Sequence, residues 1–213
     1  MMIGIIQLLM CFMGVINYVF NENQNNLVVG IKGLKGSGKT LLLTILLLME
    51  YMKGKKVFTN YKVFFPHEII DVKKMVELDE DLENCVIGIS EMHLICDARR
   101  HGKEQNILMS YFVLQSRHRG VNLYYDTQFE RQIDIRIVEN TDINIVCENL
   151  HIDTDNDGLA DLFRIIIQDK RMMPVKVKQK VFYGKPFWQM YDTNDIVDIF
   201  TMKKLDKLKK RKR

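Results

Sequence analysis

The feature that most constrains this chain is the run Gly33-Leu34-Lys35-Gly36-Ser37-Gly38-Lys39-Thr40, set between two apolar stretches. Leu27 to Lys32 reads as a short strand, and Leu41 to Lys53 as an apolar helix ended by Gly54. The spacing G-x-x-x-x-G-K-T has a mechanical meaning. Its glycines let main-chain N–H groups turn inward around an anion, and a helix beginning near the lysine adds the positive end of its dipole. The eight residues from Gly33 to Thr40 are therefore expected to cradle the phosphates of a nucleotide. Lys39 would neutralise the β- and γ-phosphates, and the Thr40 hydroxyl would ligate Mg²⁺. ATP and Mg²⁺ are the cofactors this motif calls for.

Around that motif the chain alternates between short strand-like runs and helical segments. Lys56 to Phe64 reads as a strand stopped by Pro66, and His67 to Leu78 as a helix. Cys85 to Ile89 is a continuous apolar run, as in a strand covered on both faces. Lys103 to Arg119 has helical periodicity and stops at Gly120. Val121 to Tyr125 predicts a strand, Phe129 to Glu139 a short helix and Ile143 to Cys147 another strand. This order predicts an α/β fold with a mainly parallel central sheet flanked by helices. Beyond Glu148 the texture changes to hairpin-type strands at Leu162 to Gln168 and Val175 to Tyr183, then a terminal helix over Asn194 to Leu208. The 213 residues suit one globular domain, taken here as 27–200.

The two ends differ from the body. From Met202 the chain reads MKKLDKLKKRKR, so 201–213 form a basic tail and the rest is slightly acidic although the net charge is +4. The tail could bind DNA phosphates or anionic lipid, or act as a solubilising terminus. Residues 1–20 carry no charged side chain, and that length is close to the roughly 20 apolar residues that span a bilayer. A membrane anchor, a buried or oligomer-packing helix, and a start codon placed upstream of Met10 or Met13 all account for it. The four cysteines are scattered and none forms a metal-type or redox pair, which fits a reduced intracellular setting.

Hydrolysis also needs a group that polarises water. Val86-Ile87-Gly88-Ile89-Ser90-Glu91 is an apolar strand ending in a carboxylate, the arrangement that supplies this group in motor ATPases. Glu91 is the expected general base. Ser90 stands where such strands usually carry Asp, facing the water shell of the magnesium ion, and contributes no negative charge there. Gln128 ends the strand Tyr125-Asp126-Thr127-Gln128, in reach of a γ-phosphate or the attacking water if that strand lies beside the central one.

These segments, with Gln115-Ser116-Arg117-His118-Arg119-Gly120, Asp134 to Asp142, Thr59-Asn60 and Tyr191-Asp192-Thr193, resemble the FtsK–HerA superfamily of DNA-pumping ATPases. The likeness is to its compact viral members, the genome-packaging ATPases and the zonular-occludens-toxin-like phage assembly proteins. The resemblance implies a RecA-like core and a homo-oligomeric ring, usually a hexamer, with duplex DNA in its channel. It implies a site in host cytoplasm or on the virion, or at a membrane if residues 1–20 anchor it. It also implies an arginine supplied by the neighbouring subunit, for which Arg117, Arg119 and Arg136 are the candidates. A non-motor nucleotide-binding protein or a small-molecule kinase is the other class, but a kinase needs a lid and an acceptor pocket for which no segment is evident.

One further motif stands apart. Asp153-x-Asp155-x-Asp157-Gly158-x-x-Asp161 places oxygens at alternate positions before a glycine, as in the opening of a Ca²⁺ loop, but Arg164 occupies the place of the closing acid. A solvated hairpin turn uses the same residues.

Overall fold

Val28–Lys32 is covered on both faces, as its unbroken apolar sequence requires: Val29 and Ile31 join one hydrophobic layer and Val28 the other. The computed structural model describes residues 26–70, 75, 77, 82–100, 104–153, 158 and 160–192. Among these the strands are β1 (Val28–Lys32), β2 (Val57–Thr59), β3 (Glu68–Ile69), β4 (Val86–Ile89), β5 (Asn122–Thr127), β6 (Ile143–Asn149), β7 (Leu162–Asp169) and β8 (Lys176–Tyr183). The α-helices are α1 (Lys39–Met52), α2 (Glu104–Ser116) and α3 (Ile135–Glu139). All the strands belong to one sheet, in the order β3-β2-β4-β5-β1-β6-β7-β8.

The six strands from β3 to β6 run parallel, whereas β7 and β8 pair antiparallel. The C-terminal hairpin expected from the sequence therefore extends the central sheet. In β7, Phe163, Ile165 and Ile167 are buried and alternate with half-exposed residues, the pattern of a strand with one covered face. The outermost strand, β8, presents Lys176, Lys178 and Lys180, charges that discourage edge-to-edge pairing.

Helix α1 is apolar nearly all round and is buried accordingly. It packs with Val57, Val86, Tyr124, Ile145 and Phe163, and is covered by Phe187 and Trp188 of a 3₁₀ turn at Lys185–Met190. The opposite layer joins Met109, Phe112 and Val113 of α2 to Ile87, Leu123, Tyr125 and Ile137. Parallel strands with helices on both faces place every β-to-α loop at one end of the sheet, so the phosphate loop, Glu91 and Gln128 come out at the same end.

Three local expectations are corrected. The helix expected from His67 begins instead as β3, which pairs with β2 and is followed by a bond from Ile70 N to Thr59 O of 2.7 Å. The open edge of β2 outweighs a weak helical pattern there. The strand expected over Lys56 to Phe64 stops at Thr59, whose hydroxyl donates to Tyr61 O at 2.5 Å and closes a turn; Val63 makes only an isolated bridge to Tyr191. Phe129 to Glu139 is not one helix but a 3₁₀ turn at Glu130–Gln132 and then α3. Ile133 between them is extended and bridges to Asp97, while the Asp134 side chain accepts from Arg136 N and starts the second helix. The apolar segment 1–20, the proposed helix over Asn194 to Leu208 and the basic tail lie outside the described residues. Among those described, no helix is long and apolar enough to cross a membrane.

Candidate active site

The phosphate loop joins the end of β1 to the start of α1, and its neighbours hold it open. Gly38 caps α1 in the left-handed conformation (φ +83°), and a Cβ there would lie 2.6 Å from the Phe163 ring. Gly33 packs against the main chain of β6, where a Cβ would collide with the carbonyl oxygen of Cys147. Only glycine meets both demands. Two of the loop's carbonyls are taken by side chains of β6. Asn149 Nδ2 donates to Gly36 O at 3.2 Å, and the Cys147 thiol, kept protonated as burial pushes it up to about 12, donates to Ser37 O at 2.9 Å.

The first intrahelical bond of α1 runs from Leu42 N to Gly38 O at 2.9 Å, and Gly38 has no side chain to cap the amides before it. Those amides and the helix dipole make an anion site. Lys39 folds back across the loop, its Nζ donating to Leu34 O at 3.0 Å. Replacing one carbonyl by phosphate oxygens lets that ammonium group form the stronger, charge-assisted bond.

Opposite the loop stand the ends of β4 and β5. β5 lies between β1 and β4, so Gln128 leaves the strand next to the central one; Thr127, just before it, pairs in register with Lys32, just before Gly33. Ser90 is held by Asn60 at the end of β2, whose Oδ1 accepts from Ser90 N at 2.7 Å and whose Nδ2 donates to Ser90 O at 2.9 Å. Glu91 follows in the left-handed region (φ +54°), a strained conformation for a non-glycine residue. Its Oε2 lies 3.2 Å from His93 Nδ1.

The residue that joins the two halves was not singled out from the sequence. Asp126, the fifth residue of β5, is fully buried. Its Oδ2 accepts from Thr40 Oγ1 at 3.0 Å and from Ser90 Oγ at 3.2 Å, and its Oδ1 accepts from Glu91 N at 2.7 Å. Burial pushes its carboxyl up to about 6; the Glu91 charge adds to this, while the Glu91 N–H, the Thr40 hydroxyl and the Lys39 charge oppose it. The only sequence signal was an acid inside an otherwise apolar strand, which is rare unless its charge is matched. Ser90 itself brings no negative charge to this end of the sheet, but the Asp126 carboxyl group stands beside it, one strand away.

The candidate arginines lie elsewhere. Arg117, beyond the end of α2, bonds to Asp142 and has a side chain 59% exposed; Arg119 reaches Leu82 O and Glu83 and is 17% exposed; Arg136 forks onto Asp134 and is 31% exposed. Of the acidic loop, Asp155 and Asp157 lie outside the described residues. Asp153 Oδ2 accepts from Gly158 N at 2.8 Å, a turn-closing bond, and Asp161 is buried with its main chain bonded to Ile152 and Gly184. Among the described residues no three His, Cys, Asp or Glu side chains cluster to hold a metal ion.

Neither a protein-family model nor a curated protein matches the sequence. Solved structures do match in fold. The N-terminal domain of zonular occludens toxin from Neisseria meningitidis superposes with a TM-score of 0.57 at 19% identity, over 79% of this chain and 100% of that one. The genome-packaging NTPase B204 of Sulfolobus turreted icosahedral virus 2, in complex with AMP, gives 0.51 at 14% identity, over 73% and 98%. The same NTPase in complex with AMPPCP gives 0.51 at 12% identity, over 73% and 97%. At such identities the likeness is one of fold: the chain has a P-loop NTPase core, a mainly parallel sheet flanked by helices, in the fold of the toxin domain and the packaging NTPase.

Proposed function

We propose that this chain hydrolyses ATP to move DNA, as a genome-packaging motor working in a homo-oligomeric ring. The observation that carries the hydrolytic part is that one carboxylate, Asp126, touches both Thr40 of the phosphate loop and the main chain of Glu91. The phosphate cradle and the expected base are thus held a few bonds apart at the same end of the sheet. Support for DNA as cargo comes from the fold shared with a packaging NTPase and from the basic tail. The exposed Arg117 is suited to reach a neighbouring subunit.

The chemistry follows from the residues. The amides of the loop and first turn of α1, with Lys39, bind the triphosphate and offset charge that builds up as the γ-phosphoryl group moves. Glu91 accepts a proton from water as its oxygen bonds to the γ-phosphorus, while the bond to the β–γ bridging oxygen breaks and ADP leaves. Gln128 orients that water. The residues fit a magnesium ion: the single proton of the Thr40 hydroxyl is committed to Asp126, which leaves its lone pairs for a cation. Thr40 would hold the Mg²⁺ that accompanies the nucleotide, and the ion would supply positive charge against the phosphates.

A second reading is a membrane-anchored ATPase that drives virion assembly or extrusion. It is favoured by the uncharged segment 1–20 and by the shared fold with the whole toxin domain.

ATPase rates of the full chain with and without duplex DNA, and in soluble and vesicle-bound form, test both readings. DNA stimulation in solution supports packaging, and activity confined to vesicles supports assembly. Lys39→Ala should abolish hydrolysis while leaving the fold intact. No hydrolysis by the unaltered chain under any condition would sink the enzymatic reading.

A further inference from the structure

We propose that Asp126 replaces position 90 as the carboxylate that holds the water shell of the nucleotide's magnesium ion, so that this charge comes from β5 instead of β4. The inference rests on the nucleotide-site reading above and gives Asp126 a role that reading leaves unassigned. β4 and β5 pair in parallel with Ile89 opposite Tyr125, so one step further Ser90 stands opposite Asp126. Neighbouring parallel strands are about 4.8 Å apart, and side chains at matched positions rise from the same face. A carboxylate at 126 therefore reaches the same region as one at 90 would. The bond between Ser90 Oγ and Asp126 Oδ2, 3.2 Å, shows that the two side chains meet.

Three details separate this role from that of an ordinary buried acid. Asp126 aims at the phosphate loop and takes the proton of Thr40 Oγ1, which directs that hydroxyl's lone pairs toward a cation. Its three bonds come from two hydroxyls and one amide; among the described residues no lysine or arginine bonds to it. A fully buried carboxylate without a bonded counter-charge is costly, and a nearby cation removes that cost. Finally, the arrangement excludes its alternative: acids at both 90 and 126 would face each other across the strand pair and repel. Serine at 90 is short, neutral and a donor, which is what an acid at 126 needs as its neighbour.

The test uses Mn²⁺ in place of Mg²⁺, followed by electron paramagnetic resonance, with ADP bound to the full chain. Asp126→Asn keeps the shape and an acceptor for Glu91 N, and should lower Mn²⁺ affinity by about tenfold or more. Metal-free ADP should bind this variant more tightly, because a negative charge near the phosphates has gone; a loosened fold would weaken both. Moving the acid back, in Ser90→Asp combined with Asp126→Ser, should recover most of the metal affinity lost in Asp126→Ser alone. Unchanged Mn²⁺ affinity in Asp126→Asn would overturn the proposal, as would a relocated acid that recovers nothing in a folded protein. If the unaltered chain binds no nucleotide, this inference and the nucleotide-site reading fall together. If it binds Mn²⁺–ADP through Asp126 yet hydrolyses no ATP, only the enzymatic reading falls.

Discussion

Asn60 grips the main chain of Ser90 from both sides, accepting from its N–H at 2.7 Å and donating to its carbonyl at 2.9 Å. The two residues are thirty positions apart, at the ends of adjacent parallel strands. The grip fixes the height at which Glu91 leaves the sheet. Asn60→Ala removes the acceptor for a buried amide and should cost about 1–3 kcal/mol in urea unfolding. The turnover rate should fall more than nucleotide affinity, since the base is displaced and the phosphate loop is not. Equal losses in both would show that Asn60 acts on the fold as a whole.

Glu91→Gln should separate binding from chemistry. The amide keeps the side chain's size but cannot accept the water's proton, so kcat should drop by about 10²- to 10⁴-fold with ATP still bound. Lys39→Ala should instead lose the nucleotide itself. Calorimetric titration with a non-hydrolysable analogue beside a phosphate-release assay distinguishes the two. A Glu91→Gln protein with full activity would remove Glu91 from the mechanism.

Gly38 cannot carry a side chain for two independent reasons, its positive φ and the Phe163 ring. Gly38→Ala should therefore lower the melting temperature and abolish nucleotide binding. Adding Phe163→Leu relieves the contact but not the backbone strain, so about 1–2 kcal/mol of the loss should persist. Complete rescue would mean that the ring alone dictates glycine here.

Glu50 gives a pH-dependent signature away from the site. It is buried near the C-terminal end of α1, with Lys53 Nζ at 3.0 Å, Lys55 Nζ at 3.1 Å and Asn122 Nδ2 at 3.1 Å. The same Asn122 accepts from the main chain of Asn26 and Leu27 and so ties α1 and β5 to the start of β1. Burial pushes the Glu50 carboxyl up, but Lys55 and Lys53 outweigh it and hold the group below its ordinary 4.5. A depressed folded value means that the stabilisation is present above about pH 4.5 and is lost as pH falls through the lower folded value. In Lys53→Gln/Lys55→Gln, burial acts unopposed. That protein should be less stable than the parent at pH 7, and the gap should close as the pH falls below the ordinary 4.5 in melting experiments. A gap constant with pH would exclude Glu50 as its cause.

Mixed subunits test the ring. If Arg117 completes a neighbour's site, Arg117→Ala should slow ATP turnover by about 10³-fold in a pure assembly. Mixing it with inactive Lys39→Ala subunits should restore activity, because some interfaces then pair an intact cradle with an intact arginine. No recovery on mixing would assign Arg117 to its bond with Asp142 alone.

What the sequence determined by itself was whatever its chemistry encodes within a few consecutive residues. The phosphate loop, the apolar helix after it, the buried strand ahead of Glu91 and the C-terminal hairpin depend on spacing and periodicity, and those are visible along one dimension. Where an outcome depended on a partner far along the chain, local pattern misled: β3 forms because β2 offers an open edge, and the stretch after Phe129 breaks because Ile133 bridges to Asp97. Asp126 is the sharpest case. Its partner Thr40 is eighty-six residues away, and their meeting depends on β5 lying between β1 and β4 with Ile89 opposite Tyr125. Strand order and register are set by the packing of two helical layers on the whole sheet, so only the tertiary structure could bring a carboxylate from one strand to the place that a serine leaves neutral on the next.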